Sequence, residues 1–156
     1  MFWKRKSKRV PAAGNSFAIP EGRRVYAIGD IHGRDDLFEH LIDLIRADNN
    51  ALPSAKTTLI LLGDLVDRGP HSAEVIERAI RLRDEFEHMR LLIGNHEECF
   101  LAALTGDVRR LRYFMRIGGD ATVRSYWNGP MSLDEATFED VAEQLPAMVP
   151  HAHVKF

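Results

Sequence analysis

Three times in this chain a short apolar run closes on a glycine and gives way at once to acids, imidazoles and amides. The stretches are "YAIGDIHG" (26–33), "LLGDLVDRG" (61–69) and "IGNHEE" (93–98). Asp30 and Asp64 stand 34 residues apart, and Asp64 and Asn95 stand 31 apart. About 30 residues is what a strand–helix–strand unit consumes, so the spacing predicts parallel strands joined by helical crossovers. Such strands end on one edge of their sheet, and ligands of open α/β sheets bind outside that edge. The polar clusters, distant in sequence, should therefore meet in space.

The intervening residues agree. "RRVYAI" (23–28), "TTLILL" (57–62) and "MRLLI" (89–93) have the composition of buried strands. In "DDLFEHLIDLIRAD", Leu37, Phe38, Leu41, Ile42, Leu44 and Ile45 fall on one helical face, with Asp36 and Glu39 placed as a capping box. "HSAEVIERAIRLRDEF" repeats the pattern with Val75, Ile76, Ala79 and Ile80 behind a Ser72 cap, and "ECFLAAL" predicts a third helix. Further on, "DEATFEDVAEQL" predicts a core-packed helix through Phe138, Val141, Ala142 and Leu145, opened by a Ser132–Glu135 capping box. The fold class is α/β, built on a parallel βαβαβ unit.

Composition bounds the rest. The 156 residues suit one domain with a real core. A single cysteine, Cys99, excludes an internal disulfide framework and fits a reducing, cytoplasmic setting. No run approaches the roughly 18 apolar residues of a membrane span. Residues 1–9 carry five cations, leaving 16 basic against 23 acidic residues, a balance of −7, in the remainder. We expect residues 1–20 to form a basic, disordered tail and residues 21–156 the folded domain. Phe2 and Trp3 beside those cations could touch an anionic membrane surface weakly. The acidic body argues against a nucleic-acid partner.

The side-chain types indicate chemistry. Asp30, His32, Asp64 and Asn95 offer oxygen and imidazole donors without a thiolate, a set suited to Mn, Fe or Zn. One carboxylate could bridge two metals about 3.5–4 Å apart. Singly, a Gly-Asp pair is an ordinary turn and a lone His an ordinary core residue. Three such clusters at this spacing are a site. Arg109, Arg110, Arg112 and Arg116 around Tyr113 and Phe114 read as an exposed helix face, and His40, His88 and His71 receive no role.

Together, G-D-I-H-G (29–33), G-D-L-V-D-R-G (63–69) and G-N-H-E (94–97) resemble the signature of the phosphoprotein phosphatase family of calcineurin-like metallophosphoesterases. The resemblance continues through "DRGPHSAE", with Ser72 and Glu74 in the family's usual positions, and more loosely through "GGDATVRSY" (118–126), which is similar to a segment of bacterial members. It implies the N-terminal half of an α-β-β-α sandwich and a site with two divalent ions, Mn²⁺ foremost and Fe, Zn, Ni or Mg as alternatives. By the resemblance, Asp30 and His32 hold the first ion, Asp64 bridges both and Asn95 binds the second. Arg68 grips phosphoryl oxygens, with Asn95 and His96 also facing the phosphate. A water activated between the ions attacks phosphorus, His96 protonates the leaving group, and Asp67 orients His96. Glu97 is adjacent to the site, and Cys99 is a buried helix residue without a catalytic part.

The implied substrate is a phosphoprotein or a phosphorylated small molecule. Diadenosine tetraphosphate hydrolases of the family typically have Ala where Asp67 stands and Asp where Glu97 stands. The choice at both positions favours phosphoserine and phosphothreonine, with dinucleoside polyphosphate or RNA-cap hydrolysis as the alternative. After "VPHAHVKF" the family's later histidine ligands and a further phosphate-binding Arg do not follow. This implies a domain incomplete at its C-terminus, one bare sheet face, and a chain that holds about one metal tightly and turns over little, an inactive metal- or phosphate-binding fragment in the limit. His151 and His153 are weak candidates for the missing ligands.

Overall fold

The computed structural model describes residues 18–156, so the expectations for residues 1–9 and most of the 1–20 tail lie outside the described residues. Strands β1 (Arg23–Ile28), β2 (Lys56–Leu61) and β3 (His88–Leu91) form one parallel sheet in the order β1-β2-β3. Helix α1 (Asp35–Ala51) links the first pair and α2 (Ser72–Glu85) the second. Then follow α3 (Asn95–Ala103), α4 (Val108–Phe114), a π-type turn (Met115–Gly119), α5 (Asp120–Tyr126), α6 (Phe138–Met148) and α7 (His151–Lys155). This is the parallel βαβαβ unit that the spacing of the three clusters predicts.

Register decides which sheet face is covered. Ile28, Leu61 and Leu91 occupy one row, and Tyr26, Leu59 and Met89 another. Leu59 and Leu61 are fully buried there, in a core shared with Phe38, Ile42, Val75 and Ala79 of α1 and α2. The opposite face carries Val25, Thr58 and Ile60, and continues into Leu62 and Leu92. Val25, Leu62 and Leu92 are exposed, so among the described residues nothing covers this face of the sheet, in line with the sequence. A second, helical layer packs beyond α2: α5 lies on α2, α4 on α3, and α6 on α4. Leu111, Phe114, Val123 and Leu145 are fully buried within it.

Several local expectations need correction. Only Phe38, Ile42 and Ile45 of α1 are buried, while Leu37, Leu41 and Leu44 are exposed. The inward stripe of α1 is therefore narrower than its apolar face. The capping box at Asp36 and Glu39 does not form. Arg34 is the N-cap, its guanidinium holds Asp36, and Arg78 takes Glu39. Ser72 is inside α2, with its hydroxyl turned into the core. The box at Ser132 and Glu135 is replaced by one at Thr137 and Asp140, because residues 132–136 make a turn of their own. Phe138 lies at that helix's exposed start, under the Arg112 guanidinium, rather than in the core.

Candidate metal and phosphate site

Past the strand ends the loops are bound to one another by backbone. Ile31 and His32 both donate N–H to the Asp64 carbonyl at 3.0 Å, Gly33 donates to Leu65, and Gly69 donates back to His32. Gly63 takes φ +97°, and a β-carbon there would strike the Gly94 backbone. Replacing Gly94 would bring a β-carbon onto the Asp64 carboxylate itself. These two glycines let the second and third loops touch, which no larger residue would permit.

This crossing geometry is strained. Among the described residues the non-glycine positions with positive φ are His32 (47°), Asp64 (54°), Asp67 (75°) and Arg68 (66°). All four are residues the sequence singled out. Left-handed backbone outside glycine costs roughly 1–3 kcal/mol per residue and persists only where its surroundings enforce it.

Two groups of side chains result. In the first, Asp30, His32 and Asp64 each present a ligand atom, all within 4.8 Å of one another, the one such cluster of acids, histidines or cysteines among the described residues. His32 tests whether that cluster fits a metal. Its Nδ1 lies 2.8 Å from the Val66 carbonyl, which can only accept, so Nδ1 carries the proton. Its Nε2 is buried, has no hydrogen-bond partner, and lies 3.7 Å from Asp30 Oδ2. An orphaned lone pair facing two carboxylates, fixed by a carbonyl on the other nitrogen, is the arrangement of a metal-ligating histidine. The donor set fits a divalent ion.

In the second group, His96 Nδ1 lies 2.6 Å from Asp67 Oδ2 and His96 Nε2 lies 3.1 Å from Arg68 Nη2. The guanidinium has only donors, so Nε2 accepts and Nδ1–H donates to Asp67. Asp67 is fully buried and His96 nearly so, whereas Arg68 is exposed at its side of the pair. Burial pushes the Asp67 carboxyl up, while hydrogen bonds from Thr122 and then His96 pull it back down. The two groups adjoin: the His32 and His96 rings meet edge to face at 4.7 Å, and His96 N–H donates to Asp64 Oδ1 at 3.2 Å. Asn95 opens α3 beside them and is exposed.

Glu97 has a definite task that its sequence position did not reveal. Its carboxylate accepts four backbone N–H groups: Asp64 and Gly94 at 2.8 Å, Leu65 at 2.7 Å and Val66 at 3.2 Å. It thereby clamps the second loop to the start of α3. Thr122 and Ser72 are both fully buried against Asp67, a task that neither the capping pattern at Ser72 nor the likeness of "GGDATVRSY" to bacterial members discloses. From the same stretch, the Gly118 carbonyl accepts the Arg68 N–H at 2.9 Å. The remaining histidines stand apart. His153 Nδ1 meets the Tyr126 hydroxyl at 2.9 Å and its Nε2 meets Glu77 at 3.0 Å, so both nitrogens are engaged away from the cluster. His151 is exposed on α7. Cys99 is half-buried in α3, and burial raises its thiol pKa, which leaves it a poor nucleophile.

Carboxylate and imidazole ligands at the edge of a parallel sheet, beside an Arg–His–Asp group, are the chemistry of a metal-dependent phosphoesterase. Residues 23–145 match the family model described as calcineurin-like phosphoesterase, and the chain belongs to that family. It is 46% identical over 88 residues to a symmetrical bis(5'-nucleosyl)-tetraphosphatase of Acidovorax ebreus, covering 56% of this chain and 28% of that protein. A protein of the same name from Chromobacterium violaceum is 43% identical over 82 residues, covering 53% of this chain and 27% of its own length. A serine/threonine-protein phosphatase of Arabidopsis thaliana is 37% identical over 79 residues, covering 50% of this chain and 8% of that protein. The chain thus spans little more than a quarter of the bacterial relatives it matches. Among the described residues no helix is long and apolar enough to cross a membrane.

Proposed function

We propose that this domain carries the catalytic machinery of a divalent-metal-dependent phosphohydrolase, with bis(5'-nucleosyl) tetraphosphates as its first substrate class and phosphoproteins as its second. The observation that carries the chemistry is the unpartnered His32 Nε2 between two carboxylates, next to an arginine poised on a histidine. The substrate order departs from the one the sequence favoured. The tetraphosphatases named above are more similar to this chain than the plant phosphatase is. Glu97 does not favour phosphoproteins either. Glu97 faces backbone N–H groups and not a substrate, so its identity reports on loop anchoring rather than on specificity.

In this proposal Asp30, His32 and Asp64 hold the first ion, and Asp64 with Asn95 contributes to the second; Mn²⁺ is the preferred metal. What bound divalent ions supply there is charge neutralisation at phosphorus and activation of water. Arg68 binds a phosphoryl oxygen pair through its planar fork, which a lysine could not match. Leaving His96 for the phosphate, Arg68 frees Nε2 to carry a proton to the departing oxygen while Nδ1–H stays on Asp67. The cleft serves anionic phosphorylated substrates, and a cytoplasmic setting accords with the lone cysteine.

One feature keeps the phosphoprotein reading in play. A nucleotide leaves as a stabilised phosphate anion and gains little from protonation, whereas a seryl oxygen needs a proton to leave. The His96–Asp67 pair has the geometry of a general acid, which suits the alcohol. Turnover of diadenosine tetraphosphate and of a phosphoserine peptide, compared on the same Mn²⁺-loaded protein, tests the order. Faster phosphopeptide hydrolysis reverses it, and an Asp64→Ala protein that binds Mn²⁺ as tightly as the wild type removes the proposal.

A further inference from the structure

Asp67 is fully enclosed, and its two carboxylate oxygens are divided between different partners. Oδ2 accepts from His96 Nδ1 at 2.6 Å. Oδ1 accepts from the Thr122 hydroxyl at 2.7 Å, across 55 residues of sequence. The directions of the remaining bonds follow from the proton count. Having spent its one proton on Oδ1, the Thr122 hydroxyl can only accept, and it does so from Asp67 N–H at 2.8 Å and from Ser72 Oγ–H at 2.9 Å. Ser72 Oγ in turn accepts from Asp67 N–H at 3.1 Å. Every hydrogen-bonding capacity of the Thr122 hydroxyl is used, and it has one orientation.

We propose that Thr122 is a positioning residue for the Asp67–His96 pair, pinning Asp67 Oδ1 so that Oδ2 must face His96 Nδ1, with Ser72 fixing the direction of the Thr122 hydroxyl. Helix α5 thereby aims a residue of the loop after β2 toward a residue at the start of α3. The backbone supports this reading: Asp67 sits at φ 75°, in a conformation its own sequence disfavours, and its N–H is held by the same two hydroxyls. A hydroxyl serving only its own burial would need one partner; this one holds the main chain and side chain of the same residue. The inference rests on the general-acid role given to His96 above.

The test uses the 156-residue protein in its metal-free form, in which the His96 Nδ1 proton is followed by NMR and assigned by its loss in His96→Gln. In Thr122→Val, of equal size, the resonance should vanish or exchange with water about tenfold faster, and Thr122→Ser should restore it. In a catalytically active, Mn²⁺-loaded form of the protein, Thr122→Val should lower kcat on a phosphoserine peptide about tenfold at unchanged KM, and leave p-nitrophenyl phosphate, with its better leaving group, nearly unaffected. A folded Thr122→Val protein that keeps the wild-type resonance and exchange rate overturns the proposal. Should that variant not fold, Ser72→Ala decides: faster exchange upholds the relay, and unchanged exchange overturns it. Loss of the resonance with unchanged turnover of every substrate upholds the positioning of His96 and refutes instead its role as general acid.

Discussion

Arg68 Nη2 donates to His96 Nε2 across 3.1 Å, so the residue that would grip phosphate rests on the atom that would deliver the proton. The two roles are coupled: only when phosphate draws the guanidinium away can Nε2 be protonated and face a leaving group. Arg68→Ala should weaken inhibition by inorganic phosphate about 10–100-fold, the worth of a charge-assisted hydrogen bond of ~1.5–3 kcal/mol. Arg68→Lys should recover only part of it, because the ammonium lacks the fork. Phosphate inhibition constants for the three proteins, at fixed Mn²⁺, check both statements.

His96→Ala should lower turnover of a phosphoserine peptide about 10²–10⁴-fold, and that of diadenosine tetraphosphate much less, since the anhydride's leaving group needs little protonation. Asp67→Asn should act in the same direction but more weakly, because it orients rather than transfers. Single-turnover rates on both substrates, measured for each variant, separate the steps. Equal losses on both substrates would mean that His96 binds the phosphate instead of serving the leaving oxygen.

Metal affinity should depend on the His32 tautomer as well as on its presence. Asp64→Ala and His32→Ala should each abolish tight Mn²⁺ binding in calorimetric titration, as they remove a member of the cluster of three. His32→Gln should fail equally, because no amide reproduces a lone pair fixed by the Val66 carbonyl. Wild-type affinity in Asp64→Ala would remove that residue from the site.

The strands, their parallel direction and the two groups of candidate residues were readable in the sequence because each leaves a local trace. An apolar run closed by glycine marks a strand end, and the interval to the next marks a crossover. Glu97 and Thr122 leave no such trace. A carboxylate that accepts three backbone N–H groups from another loop looks in sequence like any acid in a helix's first turn. Thr122 reaches Asp67 through the packing of α5 on α2, which no spacing rule encodes. Capping failed for a related reason. Ser72 and Asp36 have the right chemistry at the right offset, but the core and Arg34 respectively claim them first.

Glu97→Ala should destabilise the fold by about 2–4 kcal/mol, since it strands backbone donors of a strained loop where water has little access. Glu97→Gln should cost less, since its amide oxygen still accepts, yet loses the charge that strengthens each bond. Urea midpoints with unchanged m-values would give the difference. An effect of Glu97→Ala below ~0.5 kcal/mol, the level of an ordinary surface substitution, would mean that the clamp is dispensable.

The acid limb of stability should follow the surface carboxylates and run against Asp67. The Arg46 guanidinium, donating to both oxygens of Glu85, holds that carboxyl below its ordinary 4.5. Arg34 holds Asp36 down at about 2, against an ordinary 3.8. For these groups the unfolded chain binds protons more tightly than the fold does. Their contribution is therefore complete above pH ~4.5 and is lost as pH falls from there toward ~2. Asp67 has the opposite sign. Burial raises its carboxyl, so its contribution is present below the ordinary 3.8 and fades as pH rises through its value in the fold. The sum should be a Tm that is flat above pH ~5 and declines below it, with the decline softened by Asp67. Replacing Glu85 by Gln should make the decline shallower, and replacing Asp67 by Asn should make it steeper. Scanning calorimetry between pH 7 and pH 3 reads both slopes, and a decline unchanged in Glu85→Gln would assign the acid limb to other carboxylates.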